Sequence, residues 1–158
     1  MKPYTDDRES NHQIVSRIGL QADAYCFSIT ENLYTYTKLL IQSKTVDCVL
    51  VDEGQFLTSI QAQQLGQIVD ELNIPVLAYG IRTDFQGELF EGSRTLLAIA
   101  DELCEIKTIC HCGRKATMVV RFGEDGEPTN TGTQIQVGGN ETYVSMCRKH
   151  WKAALGQY

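Results

Sequence analysis

The chain has 158 residues, of which 14 are basic and 20 acidic, for a formal charge of −6. That acid excess argues against nucleic acid or an anionic membrane surface as partner, since phosphate-rich surfaces are held by clustered Lys and Arg. No stretch approaches the roughly 20 apolar residues of a membrane span, and residues 1–10 lack an apolar signal core, so the expected location is cytoplasmic. Six cysteines in such a chain are not read as a disulfide framework.

In chain order, residues 2–11 are polar and suit a loop, and short apolar clusters between 13 and 30 suit strands or strand-like connections. Leu33, Tyr36, Leu39 and Leu40, spaced at three and four, predict a helix buried on one face with Thr30 as its cap. Residues 47–52 read as a buried strand, whose apolar run Val49-Leu50-Val51 ends in Asp52, Glu53, Gly54 and Gln55. In open α/β sheets ligands collect at the carboxyl ends of strands, which places Asp52 and Glu53 where chemistry is done.

Thr58 or Ser59 is expected to cap a second helix, with Ile60, Leu65, Ile68, Val69 and Leu72 on its apolar face. After Pro75, residues 76–79 predict another buried strand, completing a βαβ unit with parallel pairing. Residues 80–92 form a glycine-rich loop and 93–103 a third helix. Two further β-like runs, 117–122 and 133–137, flank a loop of turn residues at 123–130, and residues 151–155 suit a short terminal helix. Cys26, Cys48 and Cys104 sit among apolar residues and read as core thiols.

The other three cysteines form a C-x-C pair, Cys110 and Cys112, and a C-x-x-H pair, Cys147 and His150. Two close pairs joined by a hairpin supply the four tetrahedral ligands of structural zinc, with no position left for water. His111 offers a competing nitrogen and is expected to point away. So small a region cannot build its own core, so metal binding is expected to fold it.

A strand ending Asp-Glu also fits the Walker B element of a P-loop phosphotransferase, where one carboxylate organises hydrated magnesium and its neighbour takes a proton from the attacking hydroxyl. Here the chain resembles the type II thymidine kinase family over nearly its whole length. The resemblance is carried by Lys2-Pro3-Tyr4-Thr5-Asp6-Asp7-Arg8, by Asp52-Glu53-Gly54-Gln55-Phe56, by residues 79–88, and by residues 110–115 and 138–147.

The resemblance implies ATP with magnesium as co-substrate, thymidine as acceptor, structural zinc and a homotetramer. Glu53 would be the general base, Asp52 would hold magnesium through water, Gly54 and Gln55 would line the nucleotide side, and Arg8 would reach the transferring phosphate. Phe56, Phe85 and Tyr143 would enclose the nucleoside. A zinc-held lasso running through Gln134, Ile135, Gln136, Val137 and Gly138 would hydrogen-bond the thymine edge through its backbone.

The resemblance also implies a strand, a G-x-x-x-x-G-K-[ST] loop, a helix and a second strand ahead of these residues, and no such pattern occurs between Met1 and Tyr158. The expected fold is therefore an α/β, P-loop NTPase-like parallel sheet, N-terminally truncated, with a small C-terminal zinc-ribbon or lasso domain. Residues 1–104 would be the partial kinase domain, its Walker B half present and its Walker A loop absent, and 105–158 the lasso domain. A start codon assigned too late, a fragment and a natural truncation each explain this. The flank of residues 48–51 is expected to be uncovered, and the chain alone is expected to turn over little or not at all. Two other readings compete: a catalytically inactive nucleoside-binding remnant, and, for residues 105–158 alone, a zinc-ribbon interaction module.

Overall fold

The computed structural model describes residues 1–4, 13–16, 18–135 and 143–157. They fall into two compact units, Met1–Arg82 with Phe90–Glu102, and Thr83–Leu89 with Leu103–Tyr158. The segment Thr83–Leu89 thus belongs to the second unit although its chain neighbours on both sides belong to the first.

The first unit is mixed α/β. Strand β1 (Lys2–Pro3) pairs in parallel with β4 (Cys26–Phe27), while β2 (Gln13–Val15) and β3 (Gln21–Asp23) form an antiparallel hairpin. Helix α1 (Leu33–Leu40) follows, then β5 (Val49–Val51), α2 (Ser59–Leu72), the parallel strand β6 (Val76–Ala78) and α3 (Glu91–Ile99). The expected βαβ unit is present, with Val49, Leu50 and Val51 in register with Val76, Leu77 and Ala78.

Its core joins Phe27, Leu33, Val49, Val51, Leu57, Ala62, Leu65, Ile68 and Ile74. Each large apolar side chain of this set contributes about 1.5–3 kcal/mol by leaving water. Helix α2 begins with a capping box: Thr58 Oγ1 accepts the Gln61 N–H at 3.1 Å and Gln61 Oε1 accepts the Thr58 N–H at 3.2 Å. Asn73, left-handed at φ 56°, ends it. Two α2 side chains satisfy groups around the start of α1, Gln64 accepting the Leu33 N–H at 2.9 Å and Gln61 donating to the Ser28 carbonyl at 2.8 Å.

The second unit centres on β9 (Met118–Phe122), flanked antiparallel by β10 (Pro128–Thr129) and β11 (Tyr143–Met146). A small hairpin, β7 (Thr108–Ile109) with β8 (Lys115–Ala116), precedes it, and α4 (Arg148–Ala154) follows. Thr83 and Leu89 bridge to close their own turn.

Several expectations fail in detail. The N-cap of α1 is Asn32, whose side chain accepts the Thr35 N–H at 2.8 Å, not Thr30, and Leu39 is exposed while Thr37 is buried. Ile60 points outward from the first turn of α2. Strands β5 and β6 are not buried on both faces: Leu50 is 54 % exposed, and its register partner Leu77 is exposed too, because α1 and α2 cover only the side that Val49 and Val51 face. Helix α3 starts at Glu91 and ends at Ile99, two residues earlier and four residues earlier than expected. Cys104 is exposed, not a core thiol, and Cys48 is only half-buried. Residues 133–135 are not a strand; β9 finds its partners at Pro128–Thr129, inside the expected loop, and at Tyr143–Met146.

The outer edge of β5 is not bare either. The Met1 amine donates to the Leu50 carbonyl at 2.7 Å and the Met1 carbonyl accepts the Asp52 N–H at 3.0 Å, the bond pair of a parallel bridge.

Candidate functional site

At the carboxyl end of β5 the chain turns sharply. Glu53 adopts a left-handed backbone at φ 52°, a conformation costing a residue with a Cβ about 1–2 kcal/mol. The turn is held from several sides. Asp52 Oδ1 accepts the Glu53 N–H at 3.0 Å, the Gly54 N–H donates to the Tyr79 carbonyl at 2.7 Å, and a 3₁₀ turn over Gly54–Phe56 follows.

Buried Gln55 ties this turn to the next loop, its Nε2 donating to the Glu53 carboxylate and its Oε1 accepting the Ile81 N–H at 3.2 Å. Two glycines stand where a Cβ has little room: on Gly80 it would lie 2.6 Å from the Gln55 side-chain Oε1 and 3.0 Å from the Gln55 backbone nitrogen, and on Gly92, in the first turn of α3, 2.4 Å from the Gly54 carbonyl oxygen. Phe56 is half-buried, edge-on to Phe90 at 6.0 Å between ring centroids. Asp52, Glu53, Gly54, Gln55 and Phe56 therefore share one clamped turn with both carboxylates partly open, an arrangement suited to holding a proton acceptor in a fixed place.

The second unit gathers Cys110, Cys112, Cys147 and His150, whose ligating atoms all lie within 4.8 Å of one another. Cys110 Sγ is 3.4 Å and Cys147 Sγ 3.6 Å from His150 Nδ1, and the sulfurs of Cys112 and Cys147 are 3.9 Å apart. A zinc tetrahedron with its usual bond lengths has edges of about 3.5–3.8 Å, so this donor set fits a metal such as zinc.

Local folding explains the convergence. The Cys110 N–H donates to the Arg114 carbonyl and the Gly113 N–H to the Cys110 carbonyl, both at 2.8 Å, curling the β7–β8 turn around the first pair. Gly113, at φ 80°, supplies the left-handed residue this needs. Cys147 precedes α4 and His150 lies within its first turn, so both face one spot. The backbone N–H of Cys112, then that of Cys147 and the His150 ring, hold the Cys110 thiol down to about 5 against the opposing pull of burial. That favours the thiolate that metals bind. His111 does not point away: its ring stacks on His150 at 4.3 Å, with Nδ1 3.7 Å from Cys110 Sγ.

Of the residues expected on the nucleoside side, Phe85, Gln134, Ile135 and Tyr143 all belong to the second unit. Phe85 is 1 % exposed, Gln134 Nε2 donates to Asp84 Oδ2 at 2.9 Å, and Tyr143 begins β11. Arg8, Gln136, Val137 and Gly138 lie outside the described residues. Sequence reasoning missed Asp84 and Arg121, both buried beneath this segment. The available signal was a single arginine inside the apolar run Met118–Phe122.

The fold and these two centres define a mixed α/β protein with acidic residues at a strand end and a Cys₃His centre fit for a structural metal. The chain belongs to the thymidine kinase family, whose model, described as "Thymidine kinase", matches residues 1–151. It is 53 % identical over 152 residues to the thymidine kinase of Photobacterium profundum, covering 96 % of this chain and 79 % of that protein. It is 55 % identical over the same length and shares to that of Aliivibrio fischeri. With the thymidine kinase of Legionella pneumophila it shares 56 % over 151 residues, 95 % of this chain and 72 % of the relative. Among the described residues no helix is long and apolar enough to cross a membrane.

Proposed function

We propose that this chain is a thymidine kinase, transferring the γ-phosphoryl of ATP to the 5′-hydroxyl of thymidine to give thymidine monophosphate. Family membership sets the reaction class, and the observation that carries the residue roles is the clamped turn that presents Asp52 and Glu53 together at the end of β5. Glu53 accepts the proton of the 5′-hydroxyl as its oxygen attacks phosphorus, and the bond to the ADP oxygen breaks as the new P–O bond forms. Gln55 donates to the same carboxylate and so fixes where that proton is received. Asp52 orients water on the magnesium that accompanies ATP; the metal supplies neutralisation of the phosphate charge. Gly54 and Gln55 line the nucleotide side, and Arg8 meets the transferring phosphate, a task for a guanidinium fork.

In the second unit Phe85, Gln134, Ile135, Gln136, Val137, Gly138 and Tyr143 carry nucleoside recognition, and zinc held by Cys110, Cys112, Cys147 and His150 fixes the base of that segment. The proposed organisation is a P-loop-type kinase domain followed by a zinc-held lasso domain. The proposed setting is a cytoplasmic homotetramer.

The G-x-x-x-x-G-K-[ST] loop that cradles nucleotide phosphates in P-loop kinases is not among these 158 residues. The test therefore compares ATP-dependent phosphorylation of thymidine by this chain alone and by the chain joined ahead of Met1 to such a loop segment from a relative. Little or no turnover is expected from the first and clear turnover from the second, falling about 10²–10⁴-fold with Glu53→Gln. Full rate after Glu53→Gln would refute the general-base role.

A further inference from the structure

In the second unit a cation is buried. Arg121, the next-to-last residue of β9, is 4 % exposed. Its guanidinium lies over the Phe85 ring, 3.7 Å from the centroid. Its two terminal nitrogens fork onto one loop: Nη1 donates to the Thr133 carbonyl at 2.8 Å and Nη2 to the Thr131 carbonyl. The residue between those carbonyls is Gly132, at φ +106°, and a Cβ there would sit 2.5 Å from Nη2. The loop has been left without a side chain just where it closes over the guanidinium.

The residues opposite Arg121 in the sheet are Thr129 on β10 and Tyr143 on β11, and side chains at directly opposed positions share a face. Arg121 thus touches or neighbours Phe85, the 131–133 loop and Tyr143. A parallel set of bonds ties the same parts. Asp84 accepts the Gln134 amide through Oδ2 and the Gln86 and Glu88 N–H groups through Oδ1, each at 2.9 Å. Gln86 Nε2 donates to the Asn130 carbonyl at 2.9 Å.

Removing a guanidinium from water is expensive, and an apolar side chain of similar length would fill the site at lower cost. What the guanidinium gives instead is geometry: a planar fork that sets two carbonyls and an aromatic ring at once. We propose that Arg121 is a positioning residue of the nucleoside side, anchored on the buried Phe85 ring and holding the 131–135 loop as one prearranged surface for a pyrimidine nucleoside. This rests on the nucleoside reading given above for Phe85, Gln134, Ile135 and Tyr143.

The experiment uses the zinc-loaded chain, with thymidine as the probe. Titration calorimetry gives its affinity, ¹⁵N relaxation gives backbone order for residues 131–135, and zinc content with the melting midpoint monitors the fold. Arg121→Met is expected to keep one zinc per chain and a melting midpoint within a few degrees. The order parameters of 131–135 should fall from about 0.85 to below about 0.6, and thymidine affinity should fall at least tenfold. Gly132→Ala disturbs the same loop with Arg121 intact, by a Cβ 2.5 Å from Nη2 and by a backbone at φ +106° that strains any side chain, and should reproduce both losses with zinc retained.

Unchanged order in the loop, or affinity within twofold of wild type in both variants, overturns the proposal. Loss of zinc from Arg121→Met together with wild-type binding by Gly132→Ala overturns it as well, by showing Arg121 to be a fold residue. A wild-type chain that binds no thymidine refutes the nucleoside reading instead, and loop order in the two variants then decides the positioning claim by itself.

Discussion

The two units stabilise their functional residues by different physics. In the first, nine buried apolar side chains from β4, β5, α1, α2 and their connections form a continuous core, and the Asp52–Glu53 turn is an outgrowth of it. In the second, the buried set is dominated by groups that must be satisfied: the thiols of Cys110 and Cys147, the carboxylate of Asp84 and the guanidinium of Arg121, with Phe85, Val120 and Trp151 as the apolar contribution. An apolar core tolerates the loss of one member. In a set of ligands and paired polar groups, the loss of one member leaves its own partners unsatisfied.

Metal removal should separate the two most widely. Structural zinc contributes about 10 kcal/mol or more to the folding of small sites, so a chelator, or Cys147→Ser, should abolish amide protection across β7 to α4 while α2 and β5 stay protected. Hydrogen exchange measures this directly, and a second unit that remains ordered without metal would erase the contrast. Next in size, Ile68→Ala in the apolar core should cost about 2–5 kcal/mol and lower the urea midpoint with zinc stoichiometry unchanged. If zinc were released in step with that loss, the units would not be independent.

A smaller effect sharpens the description of the turn. Gly92→Ala would drive a Cβ into the carbonyls of Gly54, Gln55 and Leu57, and overpacking of this kind costs about 1–3 kcal/mol. Phosphorylation of thymidine by the loop-completed chain should fall further than stability does, because the displaced segment carries Glu53. Smallest, Thr58→Ala removes one arm of the α2 capping box and should cost about 1 kcal/mol in the denaturant midpoint, leaving the second unit untouched.

Those contrasts were unequally visible in the sequence. The βαβ unit, a cap at Thr58 or Ser59 and the Cys₃His set were legible because each is local: an apolar run, a hydroxyl residue just ahead of a helical period, two ligand pairs at short spacing. Leu50 and Leu77 were misjudged because a run of apolar residues does not reveal how many faces of a two-stranded sheet are covered. Strand β10 was hidden in turn-forming residues, since Pro128 and Thr129 become a strand only through pairing with Phe122 and Arg121. For Arg121 the lone arginine in the apolar run Met118–Phe122 is the local hint, but its burial depends on Phe85, far earlier in the chain, and on a loop glycine, which no window around position 121 contains.

The chain contains one tryptophan, and its position gives it an optical meaning. Trp151 is buried in α4, one residue beyond His150, with its indole N–H donating to the Phe85 carbonyl at 2.9 Å and Gly87 close against its six-membered ring. The molecule's only indole fluorophore therefore sits on the helix that carries His150 and against the Phe85 segment, wholly within the second unit. Its emission reads the second unit against a first unit that holds no indole, so metal added to the Cys₃His set and any shift of the Phe85 segment can be followed with no added label.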